Sequence, residues 1–142
     1  MIKTSFIDTL EKKIYYHDTD AGGVVYYANY LKYFEEARTE FFAHKSISVS
    51  ELHHEGFLYA VRSCNITYHA PARYGDIIVC ETSLDKITAA QFFFHQNIKL
   101  KSSGSREPRG QLLVEAQTGL VNLNKEFKTT PIPDSIRTRL TS

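Results

Sequence analysis

Along residues 89–101 the chain alternates between apolar and polar. Phe92, Phe94, Ile98 and Leu100 share one face, and His95, Asn97, Lys99 and Lys101 share the other. A period of two is the mark of a half-buried strand. Phe57 to His69 reads as another strand, ended by Pro71, and Asp76 to Leu84 as a third. Gln111 to Leu123 is the last, with Leu112, Val114, Ala116 and Leu120 in step. Lys12 to His17 reads as a short first strand. From Tyr27 to about Lys45 the period changes. Tyr27, Tyr30, Leu31, Phe34, Ala37, Phe41 and Phe42 recur at three-to-four spacing, which predicts one long amphipathic helix. Lys32–Glu36 and Glu35–Arg38 are placed to pair along its exposed side.

The intervals are also informative. Ser48 or Ser50 is placed to cap a short second helix that runs through Glu55 and stops at Gly56. Ser102 to Gly110 has the composition of a hairpin loop, and Pro131 and Pro133 suggest a loose C-terminal tail. One long helix with a run of antiparallel strands is an α+β pattern. The helix stripe needs a sheet to cover it, so a single curved sheet wrapped around one helix fits.

A length of 142 residues suits one domain, with its core expected over about 11–125 and its tail over about 126–142. The formal charge of +1 gives no electrostatic case for nucleic acid or an anionic membrane. No run of about 18 apolar residues occurs, so no membrane span is expected. The N-terminus lacks an apolar leader, which makes a cytoplasmic protein the default. Cys64 and Cys80 are expected as buried thiols on strands.

Chemistry concentrates in Asp18-Thr19-Asp20-Ala21-Gly22-Gly23, just before the long helix. A helix start offers unpaired N–H groups and a positive dipole end, which suit an oxyanion. An acid beside such a site is a plausible hydrolytic centre. Read locally, Asp20 is either that acid or a turn residue satisfying backbone N–H groups. Asp18 has two readings as well: a second acid acting on Asp20 through like charge, or a hydrogen-bond acceptor that steadies the turn. Gly22 and Gly23 supply backbone freedom for a tight turn or for close approach to a ligand. His17 with Asp18 and Asp20 matches no zinc spacing, and no metal is expected. There is no Gly-x-Ser-x-Gly elbow, which disfavours a serine-type esterase.

The run Asp18-Thr19-Asp20-Ala21-Gly22-Gly23-Val24-Val25-Tyr26, then Asn29-Tyr30 and Glu36-Ala37-Arg38, resembles the signature of the 4-hydroxybenzoyl-CoA thioesterase family and its YbgC-like branch. Val61 to Tyr68, Ala70-Pro71-Ala72-Arg73 and Gly75-Asp76 follow in that family's order and spacing. The resemblance implies a hotdog fold, a curved antiparallel sheet around one central helix. It implies hydrolysis of an acyl-CoA or acyl carrier protein thioester, with coenzyme A as part of the substrate and no separate cofactor. It makes Asp20 the nucleophile or general base and the helix-start N–H groups, including that of Tyr27, the oxyanion donors. It also implies a homo-oligomer, a dimer or a dimer of dimers (a homotetramer), with the site at the dimer interface. Gly23, Tyr27, Ser63, Arg73 and Lys86 are the expected substrate-binding residues, with Asn65 beside Ser63. Arg73, Lys86, Arg106 and Arg109 are the candidates for phosphate, because arginine presents a planar donor fork.

YbgC-like sequences often have histidine where this chain has Tyr27, so no titrating imidazole is available there. The phenol is left to line the acyl pocket or to join the helix stripe. A hotdog hydratase would need a histidine near the acid, and none lies between Asp18 and Ala43. An acyl-thioester-binding or scaffold protein tied to the cell envelope or to phospholipid synthesis is the alternative from another class.

Overall fold

The computed structural model describes residues 6–102 and 109–142. Five strands form one antiparallel sheet: β1 (Ile7–Lys13), β2 (Leu58–Tyr68), β3 (Ile77–Ile87), β4 (Gln91–Ser102) and β5 (Leu112–Leu123). Their spatial order is β1-β3-β4-β5-β2. Helix α1 (Asn29–His44) lies across the sheet, the short α2 (Val49–His54) follows it, and α3 (Asp134–Thr141) ends the chain. This is the hotdog arrangement. Among the described residues no helix is long and apolar enough to cross a membrane.

The strands from β2 to β5 fall where the period of two places them, within a few residues. On β4 the even positions Phe92, Phe94, Ile98 and Leu100 are buried. Ser48 caps α2 by accepting from the Glu51 N–H at 3.2 Å, and Gly56 ends it at a φ of 98°. Residues 103–108, most of the expected 102–110 loop and the location of Arg106, lie outside the described residues.

Four expectations need correction. The first strand is Ile7–Lys13 rather than Lys12–His17. Its inward Asp8 is buried and meets His44 Nδ1 at 2.6 Å, so the face that touches α1 carries a carboxylate and lacks an apolar signature. The helix begins at Asn29, and its buried face is Tyr30, Tyr33, Phe34, Ala37, Arg38, Phe41 and Phe42. Tyr27 and Leu31 are outside that stripe, at 62% and 49% exposure. Arg38, expected on the wet side with Glu35, is 7% exposed. Cys80 is buried but Cys64 is exposed, because it lies on β2, an edge strand of the sheet.

The tail is the fourth. Ile132, Ile136 and Leu140 insert into the cluster built by Phe41, Phe42, Leu84, Phe92, Phe94 and Leu120. Asn122 Nδ2 ties the approach to α3 by donating to the carbonyls of Thr130 and Pro131. Leu140 is fully buried. We expect Leu140→Ala to destabilise the protein by about 2–4 kcal/mol, the usual cost of a large-to-small change in a packed site. Urea unfolding measures it, and a midpoint equal to wild type would show that α3 is dispensable.

A second cluster fills the other half of the sheet, with Tyr30, Tyr33, Phe34 and Ala37 against Ile78, Cys80, Ile98, Leu100, Val114 and Ala116. Each of the larger side chains contributes on the order of 1.5–3 kcal/mol by leaving water. The two clusters hold α1 along its whole length, which fixes where its N-terminus points.

Candidate active site

The segment before α1 folds as a small hairpin. Thr19 and Val25 bridge, the Asp20 N–H donates to the Val24 carbonyl at 2.9 Å, and the Gly23 N–H donates to the Asp20 carbonyl at 3.0 Å. Gly23 sits at a φ of 78°, a conformation that glycine adopts without strain. Gly22 donates its N–H to Asp20 Oδ1 at 2.8 Å, and a Cβ on Gly22 would come within 3.2 Å of that oxygen. The pair of glycines therefore turns the chain tightly and grips one oxygen of the Asp20 carboxylate. The other oxygen has no partner among the described residues, and the residue is exposed.

The hairpin is pinned from two sides. Val24 bridges to Arg73, and the Val25 N–H donates to the Ala72 carbonyl at 2.9 Å. The Asp18 carbonyl accepts from the Tyr26 N–H and from Asn29 Nδ2, which joins the turn to the first residue of α1. The Asp18 carboxylate accepts from the Tyr15 N–H and from the Tyr33 hydroxyl, both at 2.9 Å. Asp18 is buried, and both its oxygens are engaged, so the geometry favours its reading as a turn-holding acceptor. Burial and the bond to Asp18 push the Tyr33 phenol well above its ordinary range, which keeps it a donor.

Tyr27 comes just before α1. Its N–H has no acceptor among the described residues, and its carbonyl accepts from the Tyr68 hydroxyl at 3.3 Å. Its ring stands edge-on to that of Tyr68 at 6.3 Å and beside Tyr26 at 5.0 Å. Tyr27 is thus an edge residue of the site and no part of the helix stripe. Asp20, Gly23, Tyr27 and Arg73 are brought together around one hairpin.

Ser63 and Lys86 are elsewhere in the single chain. With Asn65, Gln117, Gly119 and Phe93 they line an open cleft of about 500 Å³ whose lining omits Asp20, Gly23, Tyr27 and Arg73. Strand alternation puts Ser63, Phe93 and Gly119 on the sheet face opposite α1. Lys86 Nζ lies 4.7 Å over the Phe93 ring. A Cβ on Gly119 would meet Ser63 Oγ at 2.6 Å, so glycine is what lets β2 and β5 approach at their register shift. Arg109 is exposed in the turn just before β5.

Burial pushes the Cys80 thiol up to about 12, which leaves it inert as a nucleophile at neutral pH. Among the described residues no group of His, Cys, Asp or Glu is arranged to hold a metal. The sequence reading missed a polar hub under α1. Arg38 donates to Gln96 Oε1 at 3.0 Å, and Gln96 Nε2 donates to the Phe34 carbonyl and to Thr82 Oγ1, each at 3.0 Å. The signal was present in the alternation of β4, where Gln96 occupies an even, inward position between Phe94 and Ile98.

The profile of the thioesterase-like superfamily matches residues 15–140. The chain is similar to a protein of Escherichia coli named acyl-CoA thioester hydrolase YbgC, with 40% identity over 86 residues, 61% of this chain and 64% of that one. The match therefore spans just under two thirds of that relative's length. It is similar to the acyl-CoA thioesterase YbgC of Helicobacter pylori, with 34% identity over 113 residues, 78% of this chain and 83% of that one. Among solved structures, a 1,4-dihydroxy-2-naphthoyl-CoA thioesterase from Synechocystis superposes with a TM-score of 0.84 at 27% identity, covering 95% of this chain and 96% of that one. Hairpin, helix, sheet order and these matches agree, and the chain belongs to the thioesterase-like superfamily.

Proposed function

We propose that the chain is an acyl-CoA thioesterase, hydrolysing an acyl-CoA thioester to the free acid and coenzyme A. The observation that carries this reading is the Asp20 carboxylate, held by Gly22 through one oxygen and open at the other, beside the entrance of α1. The open oxygen either adds to the thioester carbonyl or takes a proton from a water that adds. Where the carboxylate adds, the C–S bond breaks to leave an acyl–Asp20 anhydride and a thiolate that takes a proton from water. A second water then hydrolyses the anhydride to the free acid and returns the carboxylate. Where water adds, Asp20 takes its proton and passes it to the departing thiolate as the C–S bond breaks. In both routes the carbonyl oxygen gains charge before the C–S bond breaks. The unbonded Tyr27 N–H, at the positive end of the α1 dipole, supplies a donor for that charge. Gly23 gives the backbone room, and Arg73 stands beside the hairpin to meet a phosphate.

Oligomerisation belongs to the same reading. β2 is an edge strand with Arg62, Ser63, Cys64 and Asn65 exposed in a row, and Val61 beside them is 55% exposed. An edge of that length with unpaired backbone groups favours pairing with a second copy. Pairing through β2 would carry Ser63 and Lys86 of one copy toward the other and join the two groups of binding residues. A homotetramer built from two such dimers, a cytoplasmic location, and acyl carrier protein as an alternative thioester carrier complete the proposal.

Thiol release from a panel of short, long and aromatic acyl-CoAs and one acyl carrier protein thioester tests it. Sustained turnover of at least one substrate is expected. Binding of acyl-CoA with no release of thiol would replace the reading with that of an acyl-thioester-binding protein.

A further inference from the structure

The reaction proposed above needs two groups at a fixed spacing, the Asp20 carboxylate and the Tyr27 N–H. They belong to different parts of the fold. Asp20 is in the hairpin, and Tyr27 leads into α1. Both are referred to one residue, Asp18. Its carbonyl accepts from the Tyr26 N–H at 3.1 Å and from Asn29 Nδ2 at 2.9 Å, so the chain is held to the same oxygen just before and just after Tyr27. On the other side, Thr19 bridges to Val25 and the Asp20 N–H donates to the Val24 carbonyl, which keeps the acid two residues from Asp18 in a closed turn.

The Asp18 side chain decides where this anchor lies. Its Oδ2 accepts from the Tyr15 N–H, and the Asp18 N–H donates back to the Tyr15 carbonyl at 3.0 Å. Those two bonds are local and move with the turn. Its Oδ1 accepts from the Tyr33 hydroxyl at 2.9 Å, and among the described residues that is the one bond from this carboxylate to the body of α1. His17 Nε2, exposed, approaches Oδ1 only to 3.8 Å. Tyr33 is fixed in its turn. It sits in the buried face of α1, its ring edge-on to Tyr30 at 5.9 Å and with Lys12 Nζ 5.0 Å above it. Hydroxyl and acid are both in buried residues, where losing one partner of a bond costs most.

We propose that Tyr33 is a positioning residue for the hydrolysis: through Asp18, its hydroxyl sets the distance between the Asp20 carboxylate and the Tyr27 N–H. The proposal rests on the thioesterase reading above. Tyr33 is closed inside the core cluster with Tyr30 and Phe34, so it acts through Asp18 and meets no substrate. Without its hydroxyl the hairpin keeps its internal bonds and loses its side-chain tie to the helix. Misplacing a reacting group by about 1 Å costs up to ~10²-fold in rate. The bonds from Tyr26 and Asn29 remain and limit the slip, so the expected loss is smaller.

Tyr33→Phe and Leu140→Ala, assayed with whichever acyl-CoA of the panel above wild type turns over fastest, test it. Phenylalanine keeps the ring contacts and removes only the hydroxyl. It is expected to lower kcat ~10-fold with KM within about three-fold of wild type, because the loss falls on the reacting geometry and not on binding. Leu140 packs with Phe41 and Phe42 at the other end of α1, so Leu140→Ala loosens the fold far from the hairpin. Its kcat is expected within about two-fold of wild type, as for a distant and independent site. Thermal melts of the same preparations confirm that both variants are folded at the assay temperature. A Tyr33→Phe kcat within about two-fold of wild type, or an equal fall in the two variants, overturns the positioning role and leaves the thioesterase reading standing. Absence of thiol release by wild type from every substrate of the panel overturns the thioesterase reading and this proposal with it.

Discussion

Asp20→Asn is expected to lower kcat by ~10²-fold or more while the folded protein is unchanged, the scale seen when a group acting on the reacting centre is removed. Asparagine is the right replacement because it keeps an oxygen for the Gly22 N–H, now 2.8 Å from Asp20 Oδ1, and so keeps the turn. What it removes is the negative charge and the basic oxygen, which both the nucleophilic and the general-base routes require. Asp20 is exposed and its contact is local, so the unfolding midpoint should stay within about 0.5 kcal/mol of wild type. Thiol release and urea unfolding on the same preparation separate the two effects. Near-normal turnover in the variant would remove Asp20 from the mechanism. A large fall in stability would show instead that the acid holds the hairpin, the bland reading of the same residue.

The parts of the fold that were legible in the sequence are those where one face is dry and the other wet. β4 alternates in burial from Phe92 to Leu100, with only Phe93 and Gln96 out of keeping in polarity. β5 does so from Val114 to Thr118, whereas at its start the buried residue is Leu113 and not Leu112, which the alternation puts in step. The site hairpin was legible for a different reason: two acids and two glycines before a helix is a local pattern, and its bonds are local too. The failures share a cause, which is that a distant partner sets the burial. Asp8 is inward because His44 meets it, and Arg38 is inward because Gln96 and the sheet beneath α1 accept it. Neither partner can be seen from the helix or strand that carries the misread residue. The C-terminal helix is the same case, since Ile132, Ile136 and Leu140 are too sparse among Pro, Asp, Ser, Arg and Thr to signal burial by themselves. The split between the hairpin residues and the Ser63–Lys86 cleft lies at a further level. Strand alternation already puts Ser63 on one face, but which face meets the substrate depends on how copies pack.

The Arg38–Gln96 hub gives the second large effect. Gln96 is fully buried and satisfies three groups at once: the Arg38 guanidinium, the Thr82 hydroxyl and the Phe34 carbonyl. Burial already lowers the proton affinity of Arg38 from its usual level, yet an arginine stays charged at any ordinary pH. Gln96→Leu fills similar space and leaves that charge without its acceptor. Breaking one partner of a buried charged contact costs about 3–5 kcal/mol, far above the net value of the bond itself. For a chain of this size that corresponds to a fall of roughly 10 °C in Tm. If the cost comes from the stranded charge, Arg38→Met in the Gln96→Leu background should recover most of it, because an apolar pair of matching volume is often neutral in such places. A single Gln96→Leu variant within about 0.5 kcal/mol of wild type would mean that the guanidinium swings to water through the cavity it borders, and that the hub contributes little to holding α1 on the sheet.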